Sequence, residues 1–260
     1  MGTAQLQADL WGQAPNDWAS IQEPMSTPLW KAMLDEARVD TGTRVLDAGC
    51  GGGGASVLMA ERGALISGID AAEGMITLAS KRVPGGDFQV GDIELLPFDD
   101  DAFDAVFASN SVQYSADRVA TLRGFGRVCR PGGRVVAGLF GPPEKVTYRA
   151  LFKAVRDALP EPPPGAGPFE LSMPGVLEGL FEEAGLTVVG SGEVDCPFRY
   201  PDFETFWRAN SSAGPVQGAM RAAGVESVRS SVREAVGSFV REDGSIEIQP
   251  NVFTYVVASI

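Results

Sequence analysis

Short apolar runs closed by acids and glycines organise the first half of the chain. Val45-Leu46 runs into Asp47. Ala64-Leu65-Ile66-Ser67-Gly68-Ile69 closes on Asp70. Asp87-Phe88-Gln89-Val90 gives way to Gly91-Asp92, and Ala102-Phe103-Asp104-Ala105-Val106-Phe107-Ala108 ends at Ser109-Asn110. Short apolar runs bounded by turn residues read as strands covered on both faces. Between them apolar residues recur at helical spacing. Positions 54–62 read as a first crossover helix stopped by Gly63. Met75, Leu78, Ala79 and Val83 stripe a second, ended by Pro84-Gly85-Gly86, and Val119, Leu122, Phe125 and Val128 stripe a third. A tight turn at Pro131-Gly132-Gly133 then opens strand five. Strand and helix in alternation predict a doubly wound, mostly parallel α/β sheet.

The flanking regions are less regular. Positions 1–26 carry Trp11 and Trp18 in polar surroundings. Thr27-Pro28 reads as a helix cap followed by proline, ahead of the stripe Leu29, Met33, Leu34 and Ala37. After Phe140 the pattern predicts a helix over 148–159 and a stiff, exposed proline-rich connector over 160–168. A helix capped by Ser172-Met173-Pro174 follows, with Val176, Leu177, Leu180, Phe181 and Ala184 inward. Strand six is expected over 186–200 and a last strand over 246–259. The insertion between them, 201–243, carries one stripe of Phe203, Phe206 and Trp207 and another of Val225, Val228, Val232, Val236 and Phe239. We expect one domain over 1–260, with 1–38 and 201–243 forming a helical lid over the carboxyl ends of the strands, where open α/β sheets bind ligands.

Composition narrows the function classes. The 260 residues are 44% hydrophobic, enough for one well-buried core. The net charge is −13 and no basic run occurs, which argues against a nucleic-acid substrate or an anionic membrane surface. Three cysteines, Cys50, Cys129 and Cys196, stand far apart and read as reduced thiols; with no leader or membrane span expected, the reading is a cytoplasmic enzyme. Histidine is absent altogether. That removes the commonest general base and the commonest metal ligand, so a metal-independent chemistry is expected.

Asp47-Ala48-Gly49-Cys50-Gly51-Gly52-Gly53-Gly54 is the candidate cofactor loop. Gly49-x-Gly51-x-x-Gly54 satisfies the dinucleotide pattern literally, so downstream residues must choose the cofactor. Asp70 at the end of strand two can accept from both ribose hydroxyls, as it would in a nicotinamide site too. Asp92 after strand three is placed to accept from an adenine amino group, with Ile93 packing on the ring. Glu94, Asp99, Asp100 and Asp101 read as a solvated turn.

These ordered marks resemble the class I S-adenosylmethionine-dependent methyltransferases, in particular the small-molecule, ubiquinone/menaquinone-type branch called type 11. The resemblance is dense over 39–140 and looser at the last strand. It implies a Rossmann-like seven-stranded sheet whose antiparallel last strand slots between strands five and six. It also implies S-adenosylmethionine as cofactor, released as S-adenosylhomocysteine. On this resemblance Asp47 orders the loop or approaches the methionine amino group. Gly49, Gly51 and Gly53 let the backbone approach, Cys50, Ala71 and Met75 belong to the same cofactor site, and Ser109 and Asn110 line the methionine end.

Candidates on the acceptor side are Gln113 and Tyr114 just past strand four, with Trp11, Trp18, Phe198, Tyr200 and Trp207. Tyr114 could donate a hydrogen bond, shuttle a proton or simply pack. A sulfonium methyl is already electrophilic, so alignment and water exclusion are the expected catalytic terms. The acceptor would be a small molecule such as a secondary metabolite or a quinone-like compound, methylated on O, N or C. The alternatives are a protein that binds S-adenosylmethionine without transfer, and an NAD-dependent oxidoreductase. Either a monomer or a homodimer is compatible with the sequence.

Overall fold

The computed structural model describes residues 2–161 and 167–260; most of the proline-rich connector expected at 160–168 lies outside them. The chain opens with α1 (Ala4–Trp11) and α2 (Pro15–Asp17). A π turn (Trp18–Gln22) and a 3-10 turn (Glu23–Ser26) lead into α3 (Thr27–Glu36). The parallel core follows: β1 (Arg44–Ala48), α4 (Gly54–Glu61), β2 (Leu65–Asp70), α5 (Glu73–Arg82), β3 (Asp87–Val90), β4 (Phe103–Ser109), α6 (Arg118–Val128) and β5 (Cys129–Phe140). Next come α7 (Arg149–Asp157), α8 (Val176–Glu183), β6 (Thr187–Asp195) and β7 (Phe198–Tyr200). The chain closes with α9 (Phe203–Ser211), α10 (Gly214–Ala223), α11 (Val225–Val236), β8 (Ile246–Ile248) and β9 (Val252–Ser259).

Seven strands form one sheet in the order β3-β2-β1-β4-β5-β9-β6. Every pairing from β3 to β5 is parallel, and β9 runs antiparallel to both β5 and β6. This is the mostly parallel sheet with an antiparallel last strand that the sequence implied. The apolar runs explain why both faces are covered. Val45, Phe107, Val136 and Val257 face one core with Leu29, Met33 and Met59, while their neighbours Leu46, Val106, Val135 and Val256 face the other with Leu122, Phe125 and Phe181. Successive residues of a strand point to opposite faces, so continuous apolar runs fill two layers.

Several boundaries differ from the sequence expectation. Strand six and the last strand are each broken: β6 and β9 stay in the main sheet, while β7 and β8 pair as a separate antiparallel ribbon. Pro197 and Pro250 sit in the two breaks. Proline cannot donate to a ladder, so both strands leave the sheet there. Ser172 does not cap α8. It ends a 3-10 turn (Gly167–Ser172) and its hydroxyl donates to the Phe140 carbonyl, while Gly175 occupies the cap position and Val176 stays exposed. In the second insertion stripe Val228, Val232 and Val236 are buried, but Val225 is half exposed.

Segment 2–26 is helical, although no periodicity announced it. It lies against the insertion: α1 packs on α10 and the π turn packs on α9. Arg221 pairs with Asp9, Arg208 with Asp17 at 2.5 Å, and the Tyr200 hydroxyl donates to Gln22 Oε1 at 2.8 Å. Glu94 also differs from a plain solvated turn, since it accepts the Thr3 N–H at 3.1 Å and so ties the start of α1 to the loop after β3. Among the described residues no helix is long and apolar enough to cross a membrane.

Candidate active site

A cavity of about 1210 Å³ opens along the carboxyl edge of β1, β2 and β4. It exceeds the roughly 300–1,000 Å³ of an ordinary small-molecule site, so it has room for more than one ligand. Among the residues singled out from sequence, Trp11, Trp18, Asp47, Gly49, Cys50, Gly51, Asp70, Ala71, Met75, Asp92, Ile93, Ser109, Asn110, Gln113, Tyr114 and Phe198 line it.

Gly53, Tyr200 and Trp207 do not line the cavity. Gly53 (φ +82°) caps α4 so closely to α5 that a Cβ there would stand 2.9 Å from the Ala79 Cα; its smallness serves helix packing. Tyr200 is buried with its hydroxyl on Gln22. Trp207 is buried in the hydrophobic cluster that also holds Leu29, Phe206 and Val232, its ring 5.6 Å from the Arg229 guanidinium. Apolar burial claims both side chains before any ligand can.

The glycine loop is held by carboxylates. Gly49 (φ +80°) and Cys50 donate their N–H groups to the Ile69 carbonyl at 2.8 and 3.1 Å, and a Cβ on Gly49 would meet the Ser111 Cβ at 2.4 Å. Asp70 accepts the Gly51 N–H at 3.0 Å and the Ala72 N–H at 2.9 Å, bracing the loop and the entry to α5 together. The Gly52 N–H goes to Glu23 Oε1 at 2.5 Å. Glu23 comes from the turn before α3 and is 5% exposed; Arg82 of α5 pairs with it at 2.9 Å and also donates to the Gly52 and Ala19 carbonyls. Nothing local in the sequence marks Glu23, because a lone acid before proline in a polar segment reads as solvated.

Asp47, Asp70 and Glu23 thus surround one backbone bend. Burial, more than any neighbour, raises all three carboxyl groups above their usual range. Asp47 is pushed up to about 7, against the lowering effect of the Ser56 hydroxyl that donates to it at 2.6 Å, with the Glu23 and Asp70 charges adding to the rise. Burial and the same three acids hold the Cys50 thiol far above its ordinary range, so it is an unreactive neighbour of the loop.

A carboxyl group raised in the folded state stabilises the fold fully below its unfolded value of 3.8, and that contribution is lost as pH rises through about 7. Asn at position 47 imitates the protonated acid. Asp47→Asn and the parent are therefore expected to melt together near pH 4, with the variant melting progressively higher as pH rises from about 4 to about 7 and the gap levelling off above that. A gap independent of pH in thermal melts would contradict the buried, reluctant ionisation of Asp47.

Past β4, Asn110 adopts the left-handed conformation (φ +53°). Asn110 Oδ1 and Gln113 Oε1 are buried with no hydrogen-bond partner among the described residues, and both residues line the cavity. Ser109 accepts from Trp30 Nε1 at 3.0 Å. Tyr114 meets Trp11 edge-on at 5.7 Å, and burial pushes its phenol up to about 12. Asp92 accepts the Glu94 N–H at 2.9 Å, keeping its other oxygen free of that turn. Farther from the loop the wall turns aromatic with Phe140, Tyr148, Phe152, Phe169, Phe198 and Phe253. Of these only Phe198 was singled out from sequence. Among the described residues no group of three or more Cys, Asp or Glu side chains is gathered to hold a metal ion.

Residues 46–137, which contain β1, the loop and the acids after β2 and β3, match the family model described as a methyltransferase domain. The chain carries a class I methyltransferase domain of the type 11 branch. The chain is 38% identical to a demethylmenaquinone methyltransferase from Beutenbergia cavernae over 125 residues, 48% of this chain and 52% of that protein. It is 32% identical to the 27-O-demethylrifamycin SV methyltransferase from Amycolatopsis mediterranei, over 53% and 55%. The chain therefore spans about half the length of these curated relatives. Among solved structures, the [4+2]-cyclase SpnF superposes with a TM-score of 0.59 at 18% identity, covering 99% of this chain and 92% of that one. At that identity the likeness concerns the fold, and it extends beyond the methyltransferase domain to the whole chain.

Proposed function

We propose that this protein transfers the methyl group of S-adenosylmethionine to a small-molecule acceptor, with 2–38 and 201–243 acting as a lid. The observation that carries the reading is the trio Glu23, Asp47 and Asp70 around the glycine loop. A dinucleotide site needs free loop N–H groups and a positive field for its pyrophosphate. Here the Gly51 and Gly52 N–H groups already bond carboxylates, and the buried Glu23 and Asp47 and the half-buried Asp70 face one arginine. With Glu23 paired to Arg82 and Asp47 half-protonated near pH 7, the remaining negative field, chiefly that of Asp70, repels a diphosphate and attracts a ligand bearing a sulfonium and an ammonium.

The residues present accommodate that cofactor. Asp70 spends one hydrogen bond per oxygen on backbone and keeps lone pairs for two ribose hydroxyls. The unpartnered Asn110 Oδ1 and Gln113 Oε1 offer acceptors to its amino groups. When bound, the cofactor supplies an electrophilic methyl carbon; the carbon–sulfur pair stays on sulfur and the acceptor's lone pair makes the new bond. The protein's part is alignment and exclusion of water, which contribute about 7–11 kcal/mol. Any proton on the acceptor leaves to solvent or to a group outside the phenols, because Tyr114, held up to about 12, keeps its own proton near neutrality.

Two measurements test this. At a hundredfold excess over its dissociation constant, S-adenosylmethionine should add about 2.7 kcal/mol and raise the melting temperature by roughly 5–10 °C, while NAD leaves it unchanged. Stabilisation by NAD instead would overturn the reading. Transfer of labelled methyl to a panel of phenols, acids and amines then tests turnover; cofactor binding with no product across the panel would favour a binding protein. With an acceptor in hand, Tyr114→Phe should cost less than about tenfold in kcat, whereas a true general base would cost 10²–10⁴-fold.

A further inference from the structure

Beyond the glycine loop the cavity enters a chamber walled by Phe140, Tyr148, Phe152, Phe169, Phe198 and Phe253. The rings hold one another. Phe140 stacks on Phe253 with centroids 4.3 Å apart, and Phe152 meets Phe140 and Phe169 edge-on at 5.2 and 5.6 Å. Tyr148 meets Phe198 at 4.9 Å. Mutually braced rings present a wide apolar surface with little side-chain freedom left to lose. None of the six rings is charged, so a charged body placed against the rings themselves would be desolvated there; the charged cavity residues Arg149, Lys153, Arg156 and Glu170 flank them.

Asn210 of α9 interrupts the apolar lining that Ala209, Ala213, Pro215 and Val216 supply from the insertion. It is 2% exposed and lines the cavity. Its Nδ2 donates to the Phe206 carbonyl at 2.7 Å, which settles the orientation of the amide. Its Oδ1 is buried and has no hydrogen-bond partner among the described residues. Native proteins rarely bury an acceptor without a donor, and an exception inside a ligand cavity points to the ligand. Asn210 also stands toward the loop end. Gln22, which lines the same cavity, bonds the Tyr200 hydroxyl beneath α9, and the next residue, Glu23, holds Gly52.

We propose that the acceptor is an apolar, ring-bearing alcohol or phenol whose rings occupy the aromatic chamber and whose O–H is donated to Asn210 Oδ1. The assignment rests on the methyl-transfer reading for calling this ligand the acceptor, but not for its binding. Asn210 is then a positioning and specificity residue. A site built to pair a hydroxyl rejects analogues without one, because its own buried group is left unpaired.

The test is calorimetric titration of the protein, saturated with S-adenosylhomocysteine, with 2-naphthol and with 2-methoxynaphthalene, which has the same rings but no O–H. The parent should bind 2-naphthol about tenfold or more tighter. Asn210→Leu should bind the two within about twofold of each other, and Phe152→Ala should weaken both while keeping the preference. Equal affinities in the parent, no binding of 2-naphthol, or a preference that survives in Asn210→Leu would overturn the proposal. The first two outcomes need no variant to fold. Titrating the same protein with S-adenosylmethionine alone separates the two failures. Cofactor binding without hydroxyl preference sinks the acceptor assignment only. Hydroxyl preference without cofactor binding sinks the methyl-transfer reading and leaves the chamber as a site for hydroxylated rings.

Discussion

Asp70→Ala is expected to weaken S-adenosylmethionine binding by about 10–100-fold while the fold survives. A hydrogen bond to a charged group contributes about 1.5–3 kcal/mol, and the variant loses the carboxylate proposed to accept from both ribose hydroxyls. It also frees the Gly51 and Ala72 N–H groups that Asp70 holds at 3.0 and 2.9 Å, so the loop loses the brace that keeps it open to the nucleoside. Against this, the ligand-free protein no longer has to bury a carboxylate whose ionisation burial already disfavours. The two effects on stability oppose each other, and the melting temperature without cofactor should move little. Calorimetry on the variant gives the affinity, and far-ultraviolet circular dichroism gives the fold. An unchanged affinity would remove Asp70 from the ribose.

The part of the site that includes Asp70 was legible because it is built locally. A bend pressed as closely as Gly49 is against Ser111 admits only glycine, and an acid at a strand's carboxyl end stands at the ligand edge whatever the rest of the chain does. Short apolar runs gave the parallel strands for the same reason. What was missed is assembled across the fold. Glu23 reaches Gly52 from 29 residues away in sequence. The chamber joins Phe140 of β5, Phe152 of α7 and Phe253 of β9, each an ordinary core aromatic by local pattern. Asn210 is one polar residue on a helix dominated in sequence by the aromatic stripe of Phe206 and Trp207, both of which pack into the hydrophobic core. The split of the last two long strands is written in Pro197 and Pro250, whose missing N–H groups outweigh the length of the apolar pattern.

Glu23 carries the second large effect, and two substitutions divide it. Glu23→Ala leaves the Gly52 N–H without its acceptor and Arg82 without its carboxylate in a place where Glu23 was 5% exposed. Breaking a buried pair from one side costs about 3–5 kcal/mol; Arg82 is partly exposed and keeps the Gly52 and Ala19 carbonyls, so about 2–3 kcal/mol is expected here, or roughly 5–10 °C in melting temperature. Glu23→Gln keeps an oxygen for the Gly52 N–H but turns its amide nitrogen toward Arg82, which is partly exposed and keeps the Gly52 and Ala19 carbonyls; the charge it removes is one that burial disfavours in any case. Its melting temperature should stay within a few degrees of the parent. Cofactor affinity should nevertheless fall in both variants, because the cationic ligand loses one of the three acids that distinguish this loop from a pyrophosphate site. Competition between S-adenosylmethionine and the uncharged S-adenosylhomocysteine sulfur makes the point sharper: the charge-neutral variant should lose more affinity for the sulfonium than for the thioether. Equal losses would mean that Glu23 serves the loop's shape, and the electrostatic basis for choosing this cofactor would then rest on Asp47 and Asp70 alone.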